Sequence, residues 1–171
     1  IQQYIMYKIA AFVIFNKQIE KKISDQKKIV RKKFGNQIYL NHPVHLTLFT
    51  IKVKKIKMLK NIYENLNKKI SKKKIKIHIN HTGVFFNDPL TKGHTLYYGL
   101  KNNFLLNRVQ IKHLNKINKE IIVSKKDFNY FKNSKLKNNF KKYGFAFAGK
   151  IWIPHITVAS IKSIKKNDLF I

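Results

Sequence analysis

The chain of 171 residues contains no cysteine. This absence excludes disulfide bonds, thiolate catalysis and cysteine-ligated zinc. Proline and glycine are also scarce, at 3 and 6 residues, so no Pro/Gly-rich linker divides the chain, and a glycine-rich phosphate loop of the Walker or Rossmann type is missing. No apolar run approaches the ~20 residues that a membrane span needs. We therefore expect no membrane partner, and a cytoplasmic location is the default.

Acidic residues are few as well. The chain has 7 Asp and Glu and 37 Lys and Arg, which gives a formal net charge of +30. A field of this strength attracts nucleic acids, nucleotides and anionic surfaces. Arginine is scarce, however, while Lys, Asn, Ile, Phe and Tyr abound, and all five of these types have AT-rich codons. The charge therefore supports an anionic substrate, with genome composition as the alternative cause.

Hydrophobic periodicity predicts interspersed strands and helices in one domain over residues 1–171, of the α+β or α/β class. Each half carries a similar order of elements, which predicts a duplicated, two-lobed architecture. The predicted strands are 9–15 (buried), 37–53 with a break at Pro43, 75–79 continuing through 83–86, 94–100, 145–147 and 153–161. The predicted helices are 17–34 ending at Gly35, 57–71, 105–117 and about 131–143, and turns are predicted at 87–89 and 149–150.

Two tripeptides carry the candidate chemistry, His45-Leu46-Thr47 and His155-Ile156-Thr157. Side chains two residues apart on a strand share one face, so each motif presents a His and a hydroxyl above an apolar anchor. A proline precedes each motif, and about 110 residues separate the two copies. One copy is a common tripeptide, whereas two copies in the same context predict a shared site.

Two such strands side by side would form a four-residue site that needs no metal or other cofactor. A neutral imidazole can act as general base on water or a ribose hydroxyl, and an imidazolium can protonate the leaving oxygen. The threonine hydroxyls can donate to non-bridging phosphate oxygens. The sequence leaves open which histidine is the acid and which the base.

These motifs resemble those of the two-histidine (2H) phosphoesterase superfamily. The closest likeness is to the branch of bacterial RNA 2′,3′-cyclic phosphodiesterases, also called 2′-5′ RNA ligases. Support comes from 75–86, from 95–98 with the helix after it, and from 152–158, so that the likeness spans most of residues 9–161. The resemblance implies a bilobal fold with a pseudo-twofold axis and a central active-site groove between the lobes.

The resemblance also implies hydrolysis of a 2′,3′-cyclic phosphate to a 2′-phosphate, with 2′-5′ ligation as a further activity. His45 and His155 would be catalytic, and Thr47 and Thr157 would bind phosphate. Some relatives place an arginine after the second motif, where this chain has 159–162, so Lys162 is a candidate for partial replacement of that guanidinium.

Other candidates have two interpretations. Tyr98 and Trp152, with Tyr97, can stack on a base, but core packing is the favoured interpretation. The pairs His42/His45 and His78/His81 have a metal-like spacing. Both lie in strand or loop sequence without a carboxylate, so we expect no metal. His94 and His113 are predicted at the surface or as caps, and Phe85 and Phe86 in the core and its bend.

Two rival functions remain from the sequence. One is a non-catalytic RNA-binding protein with the same fold. The other, within the enzyme class, is cleavage of 2′-5′ oligonucleotides or of a cyclic phosphate on an ADP-ribose-like molecule. The expected partner is RNA or a small nucleotide, and the expected oligomeric state is a monomer.

Overall fold

The fold is taken from a computed structural model of the chain. It describes residues 6–54, 56, 59–60, 63–64, 76–88, 90–101, 104–124, 127–128 and 131–163. In this part of the chain no helix has both the length and the apolarity to cross a membrane.

Five strands and three long helices make up the described fold. The strands are β1 (Tyr7–Ile14), β2 (His45–Val53), β3 (Ile79–Asp88), β4 (Gly93–Leu100) and β5 (His155–Ile161). The helices are α1 (Lys17–Phe34), α2 (Phe104–Ile117) and α3 (Ser134–Tyr143), and short 3-10 turns cover Asn118–Glu120 and Gly149–Ile151.

The strands form one sheet in the order β1-β2-β5-β4-β3. The pairs β2·β5, β5·β4 and β4·β3 are antiparallel. β5, which carries the second motif, therefore lies between β2, which carries the first, and β4. This order brings the two distant motifs onto neighbouring strands and confirms the α+β class, with an antiparallel sheet.

The chain divides into two compact units, a first unit of 1–11, 48–77 and 102–153 and a second unit of 12–47, 78–101 and 154–171. The second unit buries one face of its strands against α1. Leu46 and Ile156 are fully buried there. A cluster on the same side contains Val30, Leu40, Val158, Ala159 and Ile161, with Phe34, Leu96 and Tyr98 packed against it.

The first unit is organised around the amide of Gln110 on α2, which is fully buried. Its Nε2 donates to the carbonyl of Leu48 at 2.7 Å and that of Phe147 at 3.4 Å, and its Oε1 accepts from the N–H of Gly149 at 2.8 Å. One side chain thus satisfies backbone groups from three segments of the chain. The apolar residues buried in this unit include Leu106, Leu114, Ile117, Ala146, Ala148 and Trp152.

Several predicted elements are confirmed. α1 has the predicted bounds, with Asn16 Oδ1 accepting from the N–H of Ile19 at the N-cap and Gly35 at the C-cap. α2, β3, β4 and β5 match their predictions to within a few residues, although β3 begins at Ile79 rather than at 75. The predicted helix at 57–71 falls mostly outside the described residues.

Two predictions about strands are wrong. No strand forms at 145–147, because the carbonyls of Ala146 and Ala148 accept from Asn139 Nδ2 and that of Phe147 from Gln110, instead of from a ladder. β1 is not buried along its length, since its residues alternate between half-buried and exposed. β1 forms the edge of the sheet, where one face remains open to solvent. The predicted duplication and pseudo-twofold symmetry stay predictions.

Candidate active site

The register between β2 and β5 brings the two motifs together. Leu46 pairs with Ile156 in an antiparallel arrangement. One step to either side, this register sets His45 opposite Thr157 and Thr47 opposite His155. Directly opposed residues have Cβ atoms about 4.5–5.5 Å apart and share one face. All four motif side chains are half-buried on that face, while Leu46 and Ile156 are buried on the other.

The imidazole of His45 is held from one side. Its Nδ1 lies 2.7 Å from the carbonyl oxygen of Pro43. A carbonyl only accepts, so Nδ1 carries the proton and Nε2 of the neutral ring carries the lone pair. Burial lowers the pKa of His45 below its ordinary value of 6.5, the Pro43 carbonyl opposes this, and the nearby charges of Lys27 and His42 lower the pKa further.

A buried lysine supports the segment that leads into the first motif. Lys27 on α1 is only 6% exposed. Its Nζ donates to the carbonyls of Tyr39 at 2.9 Å and His42 at 2.6 Å. Burial lowers the pKa of Lys27, because its partners are neutral carbonyls rather than a carboxylate. α1 therefore fixes the backbone just before Pro43 and also places a cation near His45.

Aromatic rings flank both histidines. Phe12 on β1 packs against His45 with ring centroids 4.3 Å apart. Phe85 on β3 and Tyr97 on β4 approach His155 edge-on, at 4.9 and 5.4 Å. Phe85 and Tyr97 also stack on each other at 4.2 Å. The rings limit the rotation of each imidazole and partly exclude water from it.

Two glycines leave room for rings on this face. A Cβ at Gly83 would overlap the phenol ring of Tyr97, and a Cβ at Gly99 would overlap the imidazole of His81. Gly83 is opposite Tyr97 and Gly99 is opposite His81 in the β3·β4 register. The two rings therefore lean across the sheet in opposite directions, each over the glycine of the neighbouring strand.

The other predicted substrate contacts lie elsewhere. Tyr98 packs against the apolar cluster beneath α1, on the face opposite to that of Tyr97. Trp152 belongs to the first unit and is 6% exposed. Lys162 follows the last residue of β5, seven positions from His155, or about 23 Å along an extended strand. The structure does not bring Tyr98 or Lys162 to the four motif residues.

The remaining histidines have separate surroundings. His42 and His78 are exposed, and Nδ1 of His94 accepts from the N–H of Asn87 at 3.3 Å. His113 was predicted at the surface or as a cap. It is only partly exposed, its ring packs against Phe49, and its Nδ1 bonds the carbonyl of Val109 within α2 rather than at a helix end. Within the described ranges, His, Asp and Glu form no group of three or more that could hold a metal ion.

The sequence did not indicate that Phe12, His81 and Phe85 lie on this face. It offered Tyr97 and Tyr98 together as stacking candidates, without indicating that Tyr97 is the one next to His155. Phe12 was assigned to a buried strand and Phe85 to the core. The usable signal was the alternation in β3 and β4, where Gly83 and Gly99 are each opposite a ring-bearing residue. Phe86 was predicted as a core or bend residue. The core interpretation is wrong, because Phe86 is 59% exposed.

Comparison with protein families identifies the family of the chain. A family model described as the AKAP7 2′5′ RNA ligase-like domain matches residues 7–170. No curated protein and no solved structure matches the chain. Because the family match extends over nearly all of the sequence, the chain belongs to the AKAP7 2′5′ RNA ligase-like domain family, within the 2H phosphoesterase superfamily.

Proposed function

We propose that this protein hydrolyses a 2′,3′-cyclic phosphate of RNA or of a small nucleotide to a 2′-phosphate, without a metal. The observation that carries the proposal is the Leu46·Ile156 register, since it sets a histidine opposite a threonine twice on adjacent strands. A cyclic phosphodiester needs a base on one side of phosphorus and an acid on the other, and the diagonal between His45 and His155 supplies two such groups.

His45 is the general base in this proposal. Its Nδ1 bonds the Pro43 carbonyl, so the lone pair on Nε2 is the one that can take a proton. Its lowered pKa keeps the ring neutral near pH 7. Water bound at Nε2 gives its proton to His45 as its oxygen attacks phosphorus.

His155 is the general acid. Because His45 is the base, His155 is left as the acid on the other side of phosphorus, and the edge-on rings of Phe85 and Tyr97 limit the rotation of its imidazole. As the bond between phosphorus and O3′ breaks, His155 gives its proton to O3′, and the products are a 2′-phosphate and a 3′-hydroxyl. If a 5′-hydroxyl takes the place of water, His45 accepts its proton as it attacks phosphorus, O3′ leaves with the proton of His155, and a 2′-5′ linkage forms.

Thr47 and Thr157 bind the phosphate. Each lies opposite one of the histidines, so their hydroxyls can donate to the two non-bridging oxygens while the histidines act on the reacting ones. Fixed donors of this kind stabilise negative charge that grows in the transition state. The net charge of +30 adds a field that concentrates an anionic substrate near the protein.

The test is the turnover of a nucleoside 2′,3′-cyclic phosphate by purified protein in the presence of EDTA. We expect His45→Ala and His155→Ala each to lower kcat/KM by about 100-fold to 10,000-fold, the usual contribution of general acid–base catalysis. His78→Ala is the matched control, because His78 is exposed and lies before β3. Phosphorus NMR identifies the product, and circular dichroism checks that each variant is folded.

The rival functions give different results in this experiment. Full activity in either motif variant, or activity that EDTA abolishes and a metal restores, would contradict the proposal. RNA binding that survives both substitutions, with no turnover of any cyclic or 2′-5′-linked substrate, would favour a non-catalytic RNA-binding protein. Turnover of 2′-5′ oligonucleotides alone would assign the same residues to a 2′-5′ phosphodiesterase. The monomeric state and the cytoplasmic location stay predictions.

A further inference from the structure

A third histidine lies in the same row of the sheet as His155. The register of β4 with β5 sets Gly99 opposite His155, and the register of β3 with β4 sets His81 opposite Gly99. Opposed residues point to the same face. The row across three strands therefore reads His155, Gly99, His81, and the middle position has no side chain.

The imidazole of His81 occupies the space above that glycine. A Cβ built on Gly99 would overlap three atoms of the His81 ring, Cε1, Nε2 and Nδ1. The ring therefore leans toward β5 and His155 rather than away from the sheet. Neighbouring strands are about 4.8 Å apart, so the backbones of β3 and β5 are about 10 Å apart in this row. The His81 ring extends across about half of that distance.

Two contacts orient the ring. Nδ1 of His81 lies 2.7 Å from Oδ1 of Asn80. The His81 ring also meets Tyr97 edge-on, with centroids 6.0 Å apart, and Tyr97 in turn contacts His155. With Nδ1 donating to Asn80, Nε2 is the remaining ring nitrogen, and His81 is exposed to solvent. A histidine whose ring is oriented by its neighbours while the residue stays exposed is suited to contact a ligand.

We propose that His81 binds a second phosphate group of the substrate, the 5′-phosphate or preceding phosphodiester of the nucleoside whose cyclic phosphate reacts between His45 and His155. This inference rests on the proposed function of that site. The registers set His81 and His155 two strands apart, with about 10 Å between their backbones, and one nucleoside separates these two phosphates in a nucleotide chain. A phosphate anion favours the imidazolium form, and Nε2 then donates a charge-assisted hydrogen bond to it.

A phosphate contact at His81 makes the protein selective. It favours cyclic phosphates that carry a neighbouring phosphate, such as the cyclic phosphate at the end of an RNA chain, over an isolated nucleoside cyclic phosphate. Gly99 has a role in this selectivity, because any side chain there would displace the His81 ring that lies over it. His81 is thus a binding residue for a part of the substrate that does not react.

The experiment compares two substrates, a nucleoside 2′,3′-cyclic phosphate and the same compound with a 5′-phosphate. They are measured with the wild-type protein, His81→Gln, and His78→Gln as a matched control on an exposed histidine nearby. We expect wild type and His78→Gln to prefer the 5′-phosphorylated substrate. We expect His81→Gln to lose about tenfold in kcat/KM on that substrate, mainly through KM, and little on the other, since a charge-assisted hydrogen bond contributes about this much.

The outcomes separate this proposal from that of the reaction itself. If wild type hydrolyses neither substrate, the proposed function fails; binding of a nucleoside 2′,5′-bisphosphate against the 2′-monophosphate then still tests the second phosphate at His81 by calorimetry. An equal loss on both substrates would overturn the subsite and make His81 a support for Tyr97 and His155. Unchanged kinetics in His81→Gln would overturn it as well.

Discussion

The ammonium group of Lys27 donates to the carbonyl oxygen of His42, with the two atoms 2.6 Å apart. His42 is three residues from His45, so a buried cation on α1 is tied to the segment that enters the first motif. A buried cation with neutral partners is costly unless its hydrogen bonds are made. The contact thus connects the packing of α1 to the electrostatics of His45.

Replacing Lys27 by methionine tests this connection. Removing the charge takes away one of the causes that lower the pKa of His45, so we expect that pKa to rise in Lys27→Met. A higher pKa leaves less neutral His45 at a given pH, and the acidic limb of the pH–rate profile moves to higher pH. The measurement is an NMR titration of the His45 ring.

Lys28→Met is the control for this change, since Lys28 is on the same helix and forms an exposed pair with Asp25. If the His45 titration were the same in Lys27→Met as in wild type, the electrostatic part of the argument would be wrong. A shift of equal size in Lys28→Met would point to general loss of positive charge instead.

Gly83→Ala tests the fit of the rings on β3 and β4. The added methyl group would overlap the end of the Tyr97 ring, which must move away. We expect a loss of about 1 kcal/mol in the free energy of unfolding, the lower end for overpacking, because a ring edge can shift. A double-mutant cycle with Tyr97→Ala measures the coupling, and the methyl group should cost almost nothing once the ring is gone.

Gly83→Ala should also lower turnover, since Tyr97 contacts His155. Equal destabilisation by Gly83→Ala with and without the Tyr97 ring would show that the backbone, and not the ring, requires glycine at this position.

We expect Gln110→Leu to lower the free energy of unfolding more than Asn115→Leu, a change on the same helix of the first unit. Gln110→Leu leaves the carbonyl of Leu48 and the N–H of Gly149 without the partners they have at 2.7 and 2.8 Å. Buried groups that lose their partner cost about 1–3 kcal/mol each. Because Gly149 is only half-buried, we expect a total loss of about 2–4 kcal/mol in urea unfolding. Asn115→Leu, an exposed change on the same helix, should stay within about 0.5 kcal/mol of wild type. Equal effects of the two changes would contradict the role given to Gln110.

The stability of the fold should depend on pH through His113 and His45. Burial lowers the pKa of both below the ordinary 6.5. Between the lowered folded value and 6.5 the unfolded chain binds more protons, so the free energy of unfolding is highest above 6.5 and falls as the pH drops through that window. Urea midpoints from pH 7.5 downward measure this.

His113→Phe keeps a ring against Phe49 and removes the titrating group. We expect it to flatten part of the pH dependence, with the remainder due to His45. A wild-type stability that rises on acidification through the same window would refute the assignment.

The two His-x-Thr pairs of the candidate site could be located in the sequence because their signal is local. A His and a Thr two apart in an alternating strand must share a face, whatever the rest of the chain does. The cap residues Asn16 and Gly35 bounded α1 for the same kind of reason. The false strand at 145–147 shows the limit of local signal, since its carbonyls are satisfied by Asn139 and Gln110, which lie at a distance in sequence.

By itself the sequence determined the class of the fold, the two His-x-Thr pairs and the absence of thiol chemistry. Only the tertiary structure decided that β2 and β5 are neighbours in the register of Leu46 with Ile156. It also decided that Tyr97 rather than Tyr98 lies next to His155, and that Lys27 is buried. The physical reason is that strand order, register and the choice of buried face depend on contacts between residues far apart in the chain, and periodicity along one strand carries no information about its partner.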